Sequence, residues 1–369
     1  MASIDKRPDR PDSPWRARWR EYPGGPQRTK HFARKVDAVR HLTKVEHDLM
    51  TGAYIGPETS RTTVADFYAV WAARQPWRDS SRESVDAAFR IHILPALGVR
   101  PLGSVRRGDV ESWAAGLSVA ATTARKVAQY LGTMFEAAVA DGLVASNPAR
   151  GAKRPRVDPE PVVPFTSEEL DRIWDASPDW FRIALTLGAM CGLRQGEAAG
   201  LTVDRLDLPR RSLKVDRQLV SPPRGPAVFG PPKTARSHRT VPLADVAVTY
   251  LASHLERFGT GEHGLVLHEN GRPVRRQRLD DVWEIVRDAA VLPGSRYHDC
   301  RHTYASTLLS GGVSVAAAAE YLGHTPAVLL KTYAHLMPAD HDRARSVVDA
   351  AFAEAAEDPL RTSATPDGH

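Results

Sequence analysis

A chain of 369 residues suggests two or three domains at roughly 100–200 residues each, and its 42% hydrophobic and 25% charged content is that of an ordinary globular protein. Its two cysteines exclude a disulfide framework, the opening stretch MASIDKRPDRPDSP has no apolar h-region, and no run approaches the roughly 18 apolar residues of a membrane span, so a cytoplasmic protein is expected. Residues 1–40 hold eleven basic and five acidic residues, which accounts for the whole net charge of +6 and points to a polyanionic partner for the N-terminal arm.

In SPWRARWREY, Trp15, Ala17 and Trp19 alternate strictly with Arg16, Arg18 and Arg20, the period-2 signature of a half-buried strand with a basic outer face. PGGPQ reads as a turn, RTKHFAR as a returning strand, and the helix that follows carries Val39, Leu42, Val45 and Leu49 along one face. The expectation is a small three-stranded sheet plus helix over residues 1–58. Its arginines are either merely solvated or turned toward DNA phosphates, and Arg16, Arg18, Arg20 and Lys30 are the candidate contacts.

A second domain, all helical, is expected over residues 62–150. It opens with Thr63 and Asp66 at capping-box spacing and ends at Asn147-Pro148. The stretch GAKRPRVDPEPVVPF, with prolines at 155, 159, 161 and 164, reads as a stiff linker over 151–165. A third domain, mixed but mainly helical, is expected over 166–356. It starts at the capping box of Thr166 and Glu169, runs as helices to about residue 200, and passes through strand-like pieces from Ser212 to Leu243 before helices resume. Residues 357–369 read as a disordered tail, and the fold class is multidomain α+β with a small antiparallel sheet in the third domain.

Four stretches of the third domain hold polar residues that packing alone explains poorly. In CGLRQGEAAGL, Arg194 follows an apolar helix, where a guanidinium needs a carboxylate or phosphate partner, and Glu197 is the structural candidate. In PPKTARSHRTVPL, Lys233 ends a proline-rich loop, either as an exposed hairpin lysine or as a proton donor able to reach a groove. In YHDCRHTYASTLL, His298 and Arg301 share a helix face; His298 and His302 at i, i+4 would also suit a metal, but the glutamate of HExxH and a third ligand are lacking. In LGHTPAVLLKTYAHL, His324 stands at a turn and Tyr333 on the next helix, where a lone tyrosine would ordinarily be a core aromatic.

Together, Arg194, Lys233, His298 with Arg301, His324 and Tyr333 fill, in order, the six positions of the tyrosine recombinase (phage integrase) family, and the chain resembles that family over roughly residues 63–350. Cys300, where the family often has an aliphatic residue, and the alanine-rich VAAAAEYLGH are departures that touch no catalytic side chain. The helical middle resembles the family's core-binding domain, and the N-terminal module resembles the arm-type DNA-binding domain of phage and conjugative-element integrases.

The resemblance implies attack by Tyr333 on a DNA phosphodiester, giving a 3′-phosphotyrosyl link and a free 5′-hydroxyl, with no ATP, metal or other cofactor. Arg194, Arg301 and His324 would hold the phosphate, Lys233 would protonate the leaving oxygen, His298 would act as acid/base toward the tyrosine, and Glu197 would orient the site. His335 is expected to be a surface or packing residue. Implied partners are double-stranded DNA at core and arm sites, three further copies in a homotetramer, an excisionase and a host DNA-bending protein. A helix with Val347, Val348, Ala351 and Phe352 as its apolar patch either packs in cis, as most terminal helices do, or, as the resemblance implies, docks on a neighbouring copy. The implied role is integration and excision of a phage or mobile element, with a chromosome-dimer resolvase, a type IB topoisomerase and a non-catalytic DNA-binding regulator as the competing readings.

Overall fold

The computed structural model describes residues 2–22, 24–50, 61–156, 161–222, 225–336 and 341–356. The chain forms two compact units, Met1–Pro159 and Glu160–His369. Part of the expected linker and the whole of the expected tail lie outside the described residues.

The first unit begins with a three-stranded antiparallel sheet of β1 (Ser3–Lys6), β2 (Trp15–Arg20) and β3 (Gln27–Phe32), in that order, followed by helix α1 (Lys35–Met50). The alternation in β2 buries Ala17 and Trp19 against Ala38, Leu42 and Val45 of α1, a small core of its own. Val39 departs from expectation: it is 44% exposed, and Ala38 takes the inward position. The inward residues 38, 42, 45 and 49 keep i, i+4, i+7, i+11 spacing, whereas residue 39 lies about 100° further round the helix.

A separate core is built by helices α2 (Val64–Ala73), α3 (Asp79–Ala88), α4 (Leu94–Leu97), α5 (Arg107–Ala115) and α6 (Ala121–Ala140), with a π-helical turn at Phe89–Ile93. The capping box of α2 forms as spaced, Thr63 Oγ1 accepting from the Asp66 N–H at 3.1 Å and Asp66 accepting from the Thr63 N–H at 3.2 Å. The last helix stops at Ala140, before the Asn147-Pro148 pair, with Gly142 at φ 70° just beyond it. Asn147 ties the following turn back to α6, donating to Gly132 O at 2.9 Å.

The second unit opens with α7 (Ser167–Ala176), capped reciprocally by Thr166 and Glu169, then α8 (Arg182–Leu185), a π-helical turn at Thr186–Met190, and α9 (Gln195–Ala199). The strands are β4 (Leu206–Asp207), β5 (Ser212–Val215), β6 (Gln218–Val220), β7 (Val228–Gly230) and β8 (Arg239–Pro242). They form an antiparallel sheet in the order β4-β5-β8 and a separate β6-β7 hairpin. Helix α10 (Asp245–Phe258) follows, then a hairpin absent from the sequence reading, β9 (His268–Glu269) with β10 (Arg272–Pro273). Strands of two residues are too short for an alternation to register.

The unit closes with α11 (Arg276–Ala289), α12 (Tyr297–Ser310), α13 (Val315–Leu322), α14 (Pro326–Tyr333) and α15 (His341–Ala356). One continuous core runs from Ile173 to Tyr333. On α15, Val347, Val348 and Phe352 are 56–64% exposed. Among the described residues, no helix is long and apolar enough to cross a membrane.

Candidate active site

The site grows from local turns. Arg194 is the N-cap residue of α9, and Glu197, three residues on, accepts both the Arg194 main-chain N–H at 3.0 Å and its guanidinium at 2.8 Å. Arg194 also donates to Ser237 Oγ and to Gly323 O, each at 3.3 Å, and keeps a quarter of its side chain exposed. Gly323 ends α13 in the left-handed region at φ 61°, which turns the chain so that His324 faces back toward the arginines. Thr325 then caps α14, with Pro326 in its first turn, and that helix ends on Tyr333.

Arg301, on α12, is buried with 1% of its surface exposed. It donates to the main-chain oxygens of Gly192 and Leu322, and at 3.0 Å to Nε2 of His324. A guanidinium can only donate, so Nε2 of His324 accepts and its proton sits on Nδ1, a buried N–H with no partner among the described residues. Gly192 is constrained at φ 65°, and a Cβ there would lie 2.3 Å from the Tyr304 ring. Only glycine lets the carbonyl that Arg301 uses come this close.

Three guanidiniums surround one carboxylate. Glu197 takes Arg239 on both oxygens, at 2.8 and 3.1 Å, and lies 3.8 Å from Arg301 in addition to its bond with Arg194. Burial alone would raise the Glu197 carboxyl, but the hydrogen bonds and charge of Arg239, with Arg194 and Arg301, bring it down to about 2. Arg301 is lowered to about 9, first by burial and then by Arg194, with Glu197 opposing. His324 is lowered to about 3 by burial, then by Arg301 and Arg194, so its ring is neutral at physiological pH.

Tyr333 is buried, with 1% of its surface exposed, and its hydroxyl lies 2.6 Å from Nδ1 of His302. Burial pushes the phenol up to about 12 against the pull of Arg301. His298 makes no hydrogen bond to the tyrosine; its ring stands edge-on to His302, 4.9 Å between centroids. Desolvation, then His302 and the nearby arginines, lowers it to about 4. Among the described residues, no three His, Cys, Asp or Glu side chains cluster so as to hold a metal ion.

Arg194, Glu197, Arg301 and His324 are thus in one connected network. Lys233 is apart from it, exposed on the loop between β7 and β8, with no hydrogen bond or ion pair among the described residues. His335 is exposed and its Nε2 is 3.0 Å from Val162 O. Two residues were not singled out from the sequence for these contacts: Arg239, which joins the network through Glu197, and His302, which meets Tyr333. The signal for Arg239 was its place two residues before Val241, on the inward face of β8.

The arm candidates divide. Arg16 stands directly opposite Asp5 in the β1–β2 register and pairs with it at 2.6 Å, and Arg18 reaches the same carboxylate at 3.3 Å. Arg20 donates to Gly25 O. Lys30 is paired opposite the buried Ala17, so it belongs to the other face of the sheet, and its ammonium lies 5.6 Å from the Phe32 ring.

Residues 164–339 match the model of the phage integrase family, and residues 62–154 that of the phage integrase central domain. The chain is 26% identical to an integrase of Mycobacterium phage FRAT1 over 79% of its own length and 90% of the relative's. It is 29% identical to tyrosine recombinase XerD of Mycobacterium tuberculosis, over 63% of its own length and 75% of the relative's. The fold is similar, at a TM-score of 0.67 and 22% identity, to the Tn1549 transposon integrase solved in complex with a circular intermediate DNA, covering 78% of this chain and 99% of that one.

Proposed function

Because the chain belongs to the phage integrase family of tyrosine recombinases, we infer that it cleaves and rejoins double-stranded DNA through a 3′-phosphotyrosyl intermediate. The observation that carries this is the buried hydroxyl of Tyr333 in the same unit as a cluster of three arginines that shares a single carboxylate. Such a cluster has an excess of positive charge, and a scissile phosphate gaining charge in its transition state would offset it. Arg194 and Arg301 would hold the non-bridging oxygens, and His324 would donate its unpartnered Nδ1–H to one of them. Lys233 would protonate the 5′-oxygen as it leaves, His298 would assist acid/base transfer, and Glu197 would hold Arg194 in place. The reaction exchanges one phosphodiester for another, so bond energy is conserved.

The finer role we propose is integration and excision of a phage or mobile element by a homotetramer on paired sites. Residues 1–58 would serve as the arm-binding domain, 62–150 as the core-binding domain, 151–165 as the linker and 166–356 as the catalytic domain. Excisionase and host DNA-bending proteins would set direction, and the apolar patch of α15 would dock on a neighbouring copy. The relationship to XerD keeps a chromosome-dimer resolvase as the second reading.

The test is covalent capture on duplexes covering the DNA that flanks the chain's own reading frame. Wild-type protein should form a denaturation-resistant adduct, and Tyr333→Phe should bind the same DNA without forming one. An adduct in Tyr333→Phe would overturn the assignment.

A further inference from the structure

We propose that His302, one position beyond Arg301 on α12, is the general base that takes the phenolic proton of Tyr333 in strand cleavage and returns it in ligation. The proposal rests on the recombinase reading of the site. Its geometric basis is the 2.6 Å contact between His302 Nδ1 and the Tyr333 hydroxyl, which is the phenol's one hydrogen bond among the described residues. A general base must lie within hydrogen-bond reach, about 2.6–3.2 Å between heavy atoms, of the group whose proton it abstracts, and His302 meets that requirement.

Position reinforces the contact. His302 follows Arg301 directly in a continuous helix, so the base and the arginine proposed to clamp the phosphate are carried by one rigid element. His298, one turn earlier, packs its ring edge-on against His302 rather than against the phenol. The charged groups around His302 are Arg296 and Arg301, which oppose an imidazolium, and Asp299, which favours one. Burial and the two arginines prevail and hold His302 below its ordinary value, which favours the neutral ring. A neutral imidazole with its proton on Nε2 turns the Nδ1 lone pair to the tyrosine.

The Tyr333 oxygen bonds to phosphorus, its proton passes to His302 Nδ1, the bond to the 5′-oxygen breaks, and that oxygen takes a proton from Lys233. Cleavage leaves His302 as imidazolium and Lys233 as the free amine. Ligation runs the same transfers in reverse, so one turnover consumes no proton.

The test is single-turnover adduct formation by the full chain on duplexes covering the DNA that flanks its reading frame. His302→Asn keeps an acceptor near the Nδ1 position but cannot take up a proton. It should lose roughly 10²-fold or more in cleavage rate, within the usual span of general-base effects, with DNA affinity and melting temperature unchanged. In His302→Gly, added imidazole should restore adduct formation, with the rate rising as the added base deprotonates. A His302→Asn rate within about threefold of wild type would assign His302 a positioning part only and overturn the proposal.

A second measurement needs neither DNA nor a stable variant at 302. Nitrogen NMR of the histidine rings in wild-type protein should show His302 Nδ1 unprotonated and shifted when Tyr333 becomes Phe; a proton resident on Nδ1 would overturn the proposal. Absence of any adduct with wild-type protein would count against the recombinase reading instead, and the NMR result would still decide where the phenolic proton points.

Discussion

Arg239 and Glu197 lie face to face in the interior of the second unit, the two terminal guanidinium nitrogens reaching the two carboxylate oxygens at 2.8 and 3.1 Å. Arg239 also donates through Nε to Tyr321 O at 2.6 Å and through a terminal nitrogen to Ser237 O at 3.0 Å. One side chain of β8 therefore fastens the carboxylate that holds Arg194 and the end of the helix that delivers His324. Arg239 shapes the proposed phosphate site through Glu197 and the α13 terminus.

The lowered Glu197 carboxyl makes a prediction about acid stability. A carboxyl moved from 4.5 to about 2 contributes stability that is present in full above its unfolded value and is lost as pH falls toward the folded one. Its share is on the order of 3 kcal/mol. Urea unfolding followed from pH 6 to pH 2 should show that loss in wild type and a shallower acid slope in Glu197→Gln, which should also be less stable at pH 7. Parallel slopes would mean that the carboxylate is not coupled to the arginines in solution.

Lys233 has no partner among the described residues, so replacing it should leave the fold untouched. Lys233→Ala should retain DNA affinity and melting temperature and lose cleavage of ordinary DNA by roughly 10²-fold or more. A duplex whose 5′ leaving group is a thiolate needs no proton from the protein, and on it the variant should recover. Failure to recover would remove the lysine from that role.

Gly323 combines φ 61° with close neighbours, since a Cβ there would lie 3.0 Å from Arg236 O and 3.2 Å from the Ser237 Cα. Gly323→Ala should destabilise the second unit by about 1–3 kcal/mol and displace His324. Cleavage should fall further than thermal stability alone explains, read by comparing adduct rates at a temperature where both proteins are fully folded.

Deleting residues 1–55 should spare cleavage of a short core duplex and impair integration into a target. Within the arm, Asp5 occupies Arg16 and Arg18. Asp5→Asn should release both and raise affinity for duplex DNA, more at low salt than at high salt, in a fluorescence-anisotropy titration. Equal integration without the arm would favour the simpler resolvase.

Local signals were read well from the sequence. The capping boxes at Thr63 and Thr166 depend on residues three apart, and both form. The order of arginine, histidine and tyrosine positions likewise sits in short contiguous words. What escaped were contacts between words. Arg239 meets Glu197 across 42 residues and His302 meets Tyr333 across 31, and neither separation leaves a periodic trace. In a chain rich in arginine, one more on a strand attracts no notice until its neighbours are known to be buried. The arm shows the converse: the basic face of β2 is real, but the register sets Asp5 opposite Arg16 and engages part of that charge.

The contrast between Lys233 and Arg301 bears on how such a protein can change over generations. Arg301 is a structural tie, buried and bound to the backbone of two other segments, so its loss would remove architecture along with the phosphate-holding role proposed for it. Lys233 is exposed and tied to nothing among the described residues. If Lys233 has the leaving-group role proposed for it, a descendant that lost only this lysine would keep its fold and its grip on DNA while cutting far more slowly. On that reading, a strand-transfer enzyme would be one codon away from becoming a resident occupant of its own sites.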